Sequence, residues 1–95
     1  MDYLLDLGFN KTEIDNLNNT LKPEVINNLS LFPKLVAINY QMLKDIGISN
    51  IKEVFIKHAN MFLINPNRFK AIFAKYDQAD LIRCIEKNAD IVDKL

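Results

Sequence analysis

The reactive side chains of this sequence are few: one histidine, His58, one cysteine, Cys84, and two serines, Ser30 and Ser49. A serine or cysteine nucleophile needs a base within reach, and the base needs a third group to orient it. Both serines fall at boundaries between apolar helical stretches, where a hydroxyl commonly caps a backbone amide, and one histidine can serve at most one nucleophile. Cys84 follows Leu81 by three residues on the apolar side of a helical stretch, the setting of a small core residue. Metal binding by His58 would take two or three further ligands at suitable spacing, and none is visible. His58 is expected to be structural, near the C-terminal end of a helix where positive charge is favourable. Gly8 and Gly47 are isolated, so there is no phosphate-cradling loop. Carboxylate pairs such as Asp77 and Asp80 are accounted for by helix capping and the helix dipole. The chain is therefore expected to be no enzyme, with no cofactor, no metal and no small-molecule substrate.

The cations offer a different chemistry. The whole chain is neutral, twelve basic residues against twelve acidic, but from Lys34 to Lys75 seven basic residues face only Asp45 and Glu53. Lys44, Lys57, Arg68, Lys70 and Lys75 are the candidate contacts to a phosphate backbone. Lys44 and Lys70 stand 26 residues apart and Lys57 and Lys87 stand 30 apart, so equivalent places in successive units would project them at regular intervals. The competing reading is a solvated outer face, and overall neutrality argues against strong non-specific attraction to nucleic acid or anionic membranes.

These side chains must be positioned by a chain of 95 residues, 49 % hydrophobic and 25 % charged, which fits one small soluble domain burying about 60 to 65 % of its unfolded surface. Two glycines and three prolines disfavour a turn-rich all-β protein. A lone cysteine suggests no disulfide and no oxidising compartment. The longest apolar runs, "LVAI" and "MFLI", fall far short of the roughly 18 residues of a membrane span. Asp2 and Asp6 stand where a signal peptide would be basic. A cytoplasmic protein with no membrane association is expected.

Helical periodicity dominates, so the expected class is all-α, a compact array of about six to eight short helices. A first helix runs from Asp2 to Leu7 and stops at Gly8. Asn10 and Glu13 have the spacing of a capping box, with Ile14, Leu17 and Leu21 inward. Pro23 suits the first turn of a third helix facing Val25, Ile26 and Leu29 inward. Pro33 is expected to start a single turn through "KLVA", and Asn39 to open a separate short helix ending at Gly47. Ser49 or Asn50 should cap the next, with Ile51, Val54, Phe55 and His58 on one face. Asn65-Pro66 marks a restart, followed by Phe69, Ile72, Phe73 and Tyr76 on one face. Asp77 caps a helix with Leu81, Ile82 and Ile85 inward, and "ADIVDKL" forms a last turn.

The segments "FPKLVAINYQML" and "HANMFLINPNRF" nearly repeat each other. A shift of 26 lays Ile38-Asn39 on Ile64-Asn65, Val36 on Phe62 and Leu43 on Phe69, and a shift of 30 lays "ANMF" at 59–62 on "ADIV" at 89–92. Degenerate helix-turn-helix units, roughly 1–31, 32–58 and 59–95, are therefore expected to stack side by side. A short helix ending in Leu-Gly, a capped helix, an apolar turn that can open with proline and a second helix resemble the mTERF-like repeat of organellar transcription termination factors. Residues 43–73 carry the likeness best and 32–48 more weakly. The resemblance implies a curved helical array that binds nucleic acid along a basic concave face. Ala59 and Ala89 stand where the family often has proline, the chain is short, and its neutral charge departs from the family's basic surface. A looser likeness, limited to the N-terminal 45 residues, is to the ubiquitin-associated domain, through the "LGF" of its first loop.

Ile91, Val92 and Leu95 open a unit that is not completed, leaving an apolar edge to pack back on its own chain, pair with a second copy or receive a partner helix. The expected function is a non-catalytic binding module for a protein partner or for itself, with nucleic-acid binding through the central basic residues as the alternative.

Overall fold

The computed structural model describes residues 2–95. Helix α1 (Tyr3–Asp6) is one turn long and stops where Gly8 turns left-handed at φ +100°. Asn10 begins α2 (Lys11–Thr20) with a full capping box: its Oδ1 accepts from the Glu13 amide, and the Glu13 carboxylate accepts from the Asn10 amide. Pro23 opens α3 (Pro23–Leu31), where its missing amide costs nothing. Then follow α4 (Pro33–Ile46), α5 (Ile51–Lys57) and a 3-10 segment (Ala59–Leu63). Helices α6 (Pro66–Ala74) and α7 (Gln78–Lys87) and a second 3-10 segment (Ala89–Lys94) complete the order. No strand occurs among the described residues, so the all-α class holds.

Helix α4 corrects the expected break at Pro33–Asn39. It is one continuous element of 14 residues, and Asn39 lies mid-helix and fully buried. The reason lies one residue on from each asparagine. Pro66 pushes Asn65 out of the helical region, to ψ 133°, and forces a restart. Tyr40 imposes no such clash after Asn39, so the helix runs through. Asn65 consequently caps α6 through the Asn67 amide, as expected. Asn39 instead sends its side-chain amide across to the carbonyls of Phe62 and Ile64, at 2.9 and 2.7 Å. The pair that the 26-residue shift superposes, Ile38 and Ile64, also differs in setting: Ile38 is 54 % exposed on the outer face of α4, whereas Ile64 is half-buried.

A different recurrence is plain in the backbone. Three helices end on a residue whose amide still bonds four residues back, after which the chain at once resumes winding: Phe32 to Asn28, His58 to Val54 and Asn88 to Cys84. Phe32 (φ −123°, ψ 55°) and His58 (φ −133°, ψ 45°) share one conformation, and Asn88 (φ −152°, ψ 103°) is more extended. Each joint is followed by a small or cyclic residue, Pro33, Ala59 or Ala89, and four residues after the joint by a buried anchor, Val36, Phe62 or Val92. Packing of that anchor holds the turn where proline is absent.

The core is a file of aromatic rings. Phe9 touches Tyr40 and Phe55, both touch Phe62, and Phe62 leads through Phe69 to Phe73, with successive centroids 4.9 to 6.1 Å apart. Helix α4 packs against α1, α3, α5, α6 and the first 3-10 segment. The radius of gyration is 12.8 Å, close to the roughly 12.4 Å of a compact domain of this length.

Candidate binding surfaces

The turn between α4 and α5 is fixed by tertiary contacts, which corrects the expected cap at Ser49 or Asn50. Neither side chain caps α5. The Ser49 amide donates to the Glu86 carboxylate at 2.9 Å, and its hydroxyl donates to the same oxygen. Asn50 donates to the Ile85 carbonyl at 3.0 Å, and Gln78 donates to the Ile46 carbonyl at 3.0 Å. These bonds fasten α7 to the turn. The serine hydrogen bonds hold the Glu86 carboxyl below its ordinary range. Gly47, at φ +106°, supplies the left-handed residue that brings the turn round, with Ile82 close against it.

His58 ends α5 with its side chain 11 % exposed. Nε2 lies 3.0 Å from Asp90 Oδ1, and Nδ1 lies 3.0 Å from Asp93 Oδ1. The histidine thus has a structural engagement that its place in the sequence did not reveal, since both partners lie more than thirty residues away. Among the described residues no group of three or more His, Cys, Asp or Glu side chains is arranged for a metal ion. Cys84, expected in the core, is exposed. The buried pair Leu81 and Ile85 defines the inward face of α7, and Cys84 lies on its flank, in a groove with Tyr76, Ile91 and Leu95. Tyr76, expected inward, is likewise exposed, because α6 has ended two residues before it.

Lys44, Lys57, Arg68, Lys70 and Lys75 are all exposed, and none is in an ion pair among the described residues. Of the seven central cations, Lys52 is engaged: its Nζ meets Glu13 at 3.0 Å and lies over the Phe9 ring, tying α5 to α2. The candidates are not brought to one place. Lys70 lines a groove with Met42 and Ile46 on one flank of α4, and Lys44, two residues from each, projects from the opposite flank. Lys57 lines a separate cleft of ≈ 390 Å³ with Lys22, His58 and Asp93. Lys57 and Lys87 do share a setting, each being the last residue of a helix that runs into a 3-10 segment. Arg68 lies in the first turn of α6, and Lys75 follows its last residue.

The expected apolar edge at the C-terminal segment is folded back on its own chain. Val92 is in the core, Ile91 and Leu95 are half-buried, and the 3-10 segment packs against α5 and α7. Of the three residues expected to receive a partner, Val92 is thereby taken into the core. Among the described residues the large hydrophobic side chains left exposed are Leu5 (51 %), Leu31 (61 %), Phe32 (50 %), Ile38 (54 %) and Tyr76 (41 %), the first four of them on α1, the end of α3, the α3–α4 joint and α4. Ile38 lines a shallow groove with Leu7, Ala37, Gln41 and Met42, rimmed by Asp45. This face exists because α4 is continuous. As one helix, it puts Lys34, Ile38, Gln41 and Asp45 on a single outer stripe.

No helix is long and apolar enough to cross a membrane among the described residues. No family model, curated protein or solved structure matches the chain.

Proposed function

We propose that this chain is a non-catalytic binding module that engages a protein, a second copy of itself included, through α1, the α3–α4 joint and the outer face of α4. One observation carries the reading: among the described residues, four of the five large hydrophobic side chains left exposed, Leu5, Leu31, Phe32 and Ile38, belong to these adjoining elements. Exposed apolar side chains carried on elements that pack together support an interaction site there. Light scattering over a range of concentrations and capture on the tagged chain test it, with the Phe32→Asp/Ile38→Asp double variant alongside. The expected result is an associated species, or a captured protein, that the double variant loses while its thermal unfolding is unchanged. A monomeric wild type with no capture sensitive to these substitutions ends the reading.

A second reading is nucleic-acid binding, supported by the unpaired Lys44, Lys57, Arg68, Lys70 and Lys75 and by the mTERF-like resemblance. Titration with single- and double-stranded oligonucleotides at ~50 mM salt distinguishes it. About three phosphate contacts would give a logarithmic salt slope near −3. Amides around these residues that stay fixed throughout the titration refute it.

A further inference from the structure

The only histidine sits where one proton decides how the last segment is held. The ring ends α5 and is nearly enclosed, and its two nitrogens meet carboxylates of two residues on the 3-10 segment Ala89–Lys94. Nε2 and Asp90 Oδ1 are in hydrogen-bonding geometry at 3.0 Å, and Nδ1 and Asp93 Oδ1 are at ion-pair distance, also 3.0 Å. We propose that His58 is a proton-operated latch: carrying both ring protons it holds Asp90 and Asp93 together, and on losing one it releases one of them.

An ionised carboxylate can only accept, whereas a neutral imidazole has one donor nitrogen and one acceptor. Only the imidazolium offers a donor to each aspartate. Whichever proton leaves, a lone pair then faces an anionic oxygen at 3.0 Å, and that contact turns from attraction to repulsion. The other charged groups lining the cleft that His58 and Asp93 share are Lys57, beside the histidine on α5, and Lys22, from the turn between α2 and α3. The first 3-10 segment carries no charged side chain, and none of the charged residues of α4 lines the cleft.

What the latch governs is one wall of a groove. Asp93, Val92 and Leu95 line a groove of ≈ 340 Å³ together with Met61, Ile64 and Ile72. Letting go of one aspartate loosens the segment that carries Ile91, Val92 and Leu95, the residues expected from the sequence to meet a partner.

Amide ¹⁵N relaxation of residues 89–95 at about pH 5 and about pH 8, on either side of the range in which histidine side chains exchange a proton, tests the latch. The heteronuclear NOE of these amides should fall at the higher pH in the wild type and be the same at both in His58→Phe. Phenylalanine suits the test because Phe32 already occupies the matching joint in nearly the same backbone conformation. The Asp90→Asn/Asp93→Asn variant changes only exposed side chains, at 62 % and 65 %, so it reports even if the His58 variant does not fold; it too should lose the pH dependence. Equal rigidity of the wild-type segment at both pH values, or a pH dependence that survives in either variant, overturns the proposal.

Discussion

Asn39 shows how much one polar side chain can decide. Its amide group bridges two carbonyls at the end of the first 3-10 segment from a fully buried position in α4, so it holds two elements that no backbone ladder joins. Asn39→Ala would strand both carbonyls and should cost about 1 to 3 kcal/mol in urea unfolding. Asn39→Asp should cost more, because it sets a carboxylate against two carbonyl oxygens without water. Two carboxylates, Glu13 and Glu86, make stability depend on pH at the acid end. The Asn10 amide, followed by Lys52, holds the Glu13 carboxyl below its ordinary value of 4.5, and the Ser49 hydroxyl and amide do the same for Glu86. Because the folded chain favours both charged forms, their contribution is present above pH 4.5 and lost as pH falls through the lowered values. Acid titration followed by circular dichroism should therefore be shallower for Glu13→Gln/Glu86→Gln, which should also be less stable than the wild type at neutral pH. At the alkaline end the sign reverses. Burial pushes the Tyr3 hydroxyl, which donates to the Leu29 carbonyl, up to about 12 from 10.0, so its contribution is whole below pH 10 and lost as pH rises towards 12. Tyr3→Phe should remove that part of the alkaline loss.

At the scale of elements, helix starts built from local chemistry were legible and those replaced by distant contacts were not. Asn10 with Glu13, Pro23, Asn65-Pro66 and Asp77 all act within three residues of themselves, and each begins a helix as their spacing says. Asn39, Ser49 and Asn50 have the same cap-forming side chains, but these are spent on partners 23 to 37 residues away. No short-range pattern distinguishes the two uses. The candidate surface was hidden for the same reason: with a turn through "KLVA" and a new helix from Asn39, Ile38 falls between two elements and belongs to no helix face. The two left-handed glycines test how firmly the helix ends are set. A Cβ at Gly8 would meet nothing within 4 Å, and one at Gly47 would meet only Ile82 Cδ1 at 3.8 Å, so crowding is not the obstacle at either site. Alanine there should still cost about 1 to 2 kcal/mol, because an L side chain is strained at positive φ whatever the space. A thermal unfolding series in which both variants match the wild type would mean that the turns relax to another conformation.

Across the whole molecule, the ring file from Phe9 to Phe73 runs through elements that span most of the sequence, and Phe62 is the link between its two ends. The repeat-like joints therefore do not make independent modules. The anchor of the second joint is also the centre of the shared core, and Asn39 ties the same 3-10 segment to α4. A chain of this size has only about 5 to 14 kcal/mol of net stability, at 0.05 to 0.15 kcal/mol per residue. Phe62→Ala empties the middle of the file and should remove about 3 to 5 kcal/mol. Urea unfolding of the wild type should then show one transition, identical by circular dichroism and by tyrosine fluorescence, and Phe62→Ala should move it to much lower urea without splitting it. If the N-terminal part, residues 2–58, kept its transition while the rest melted separately, the units would be stacked modules, each with a core of its own. Ile38→Asp marks the opposite extreme. At a position more than half exposed it should shift the same transition by no more than about 0.5 kcal/mol, so that any loss of association it causes reports on the surface and not on the fold.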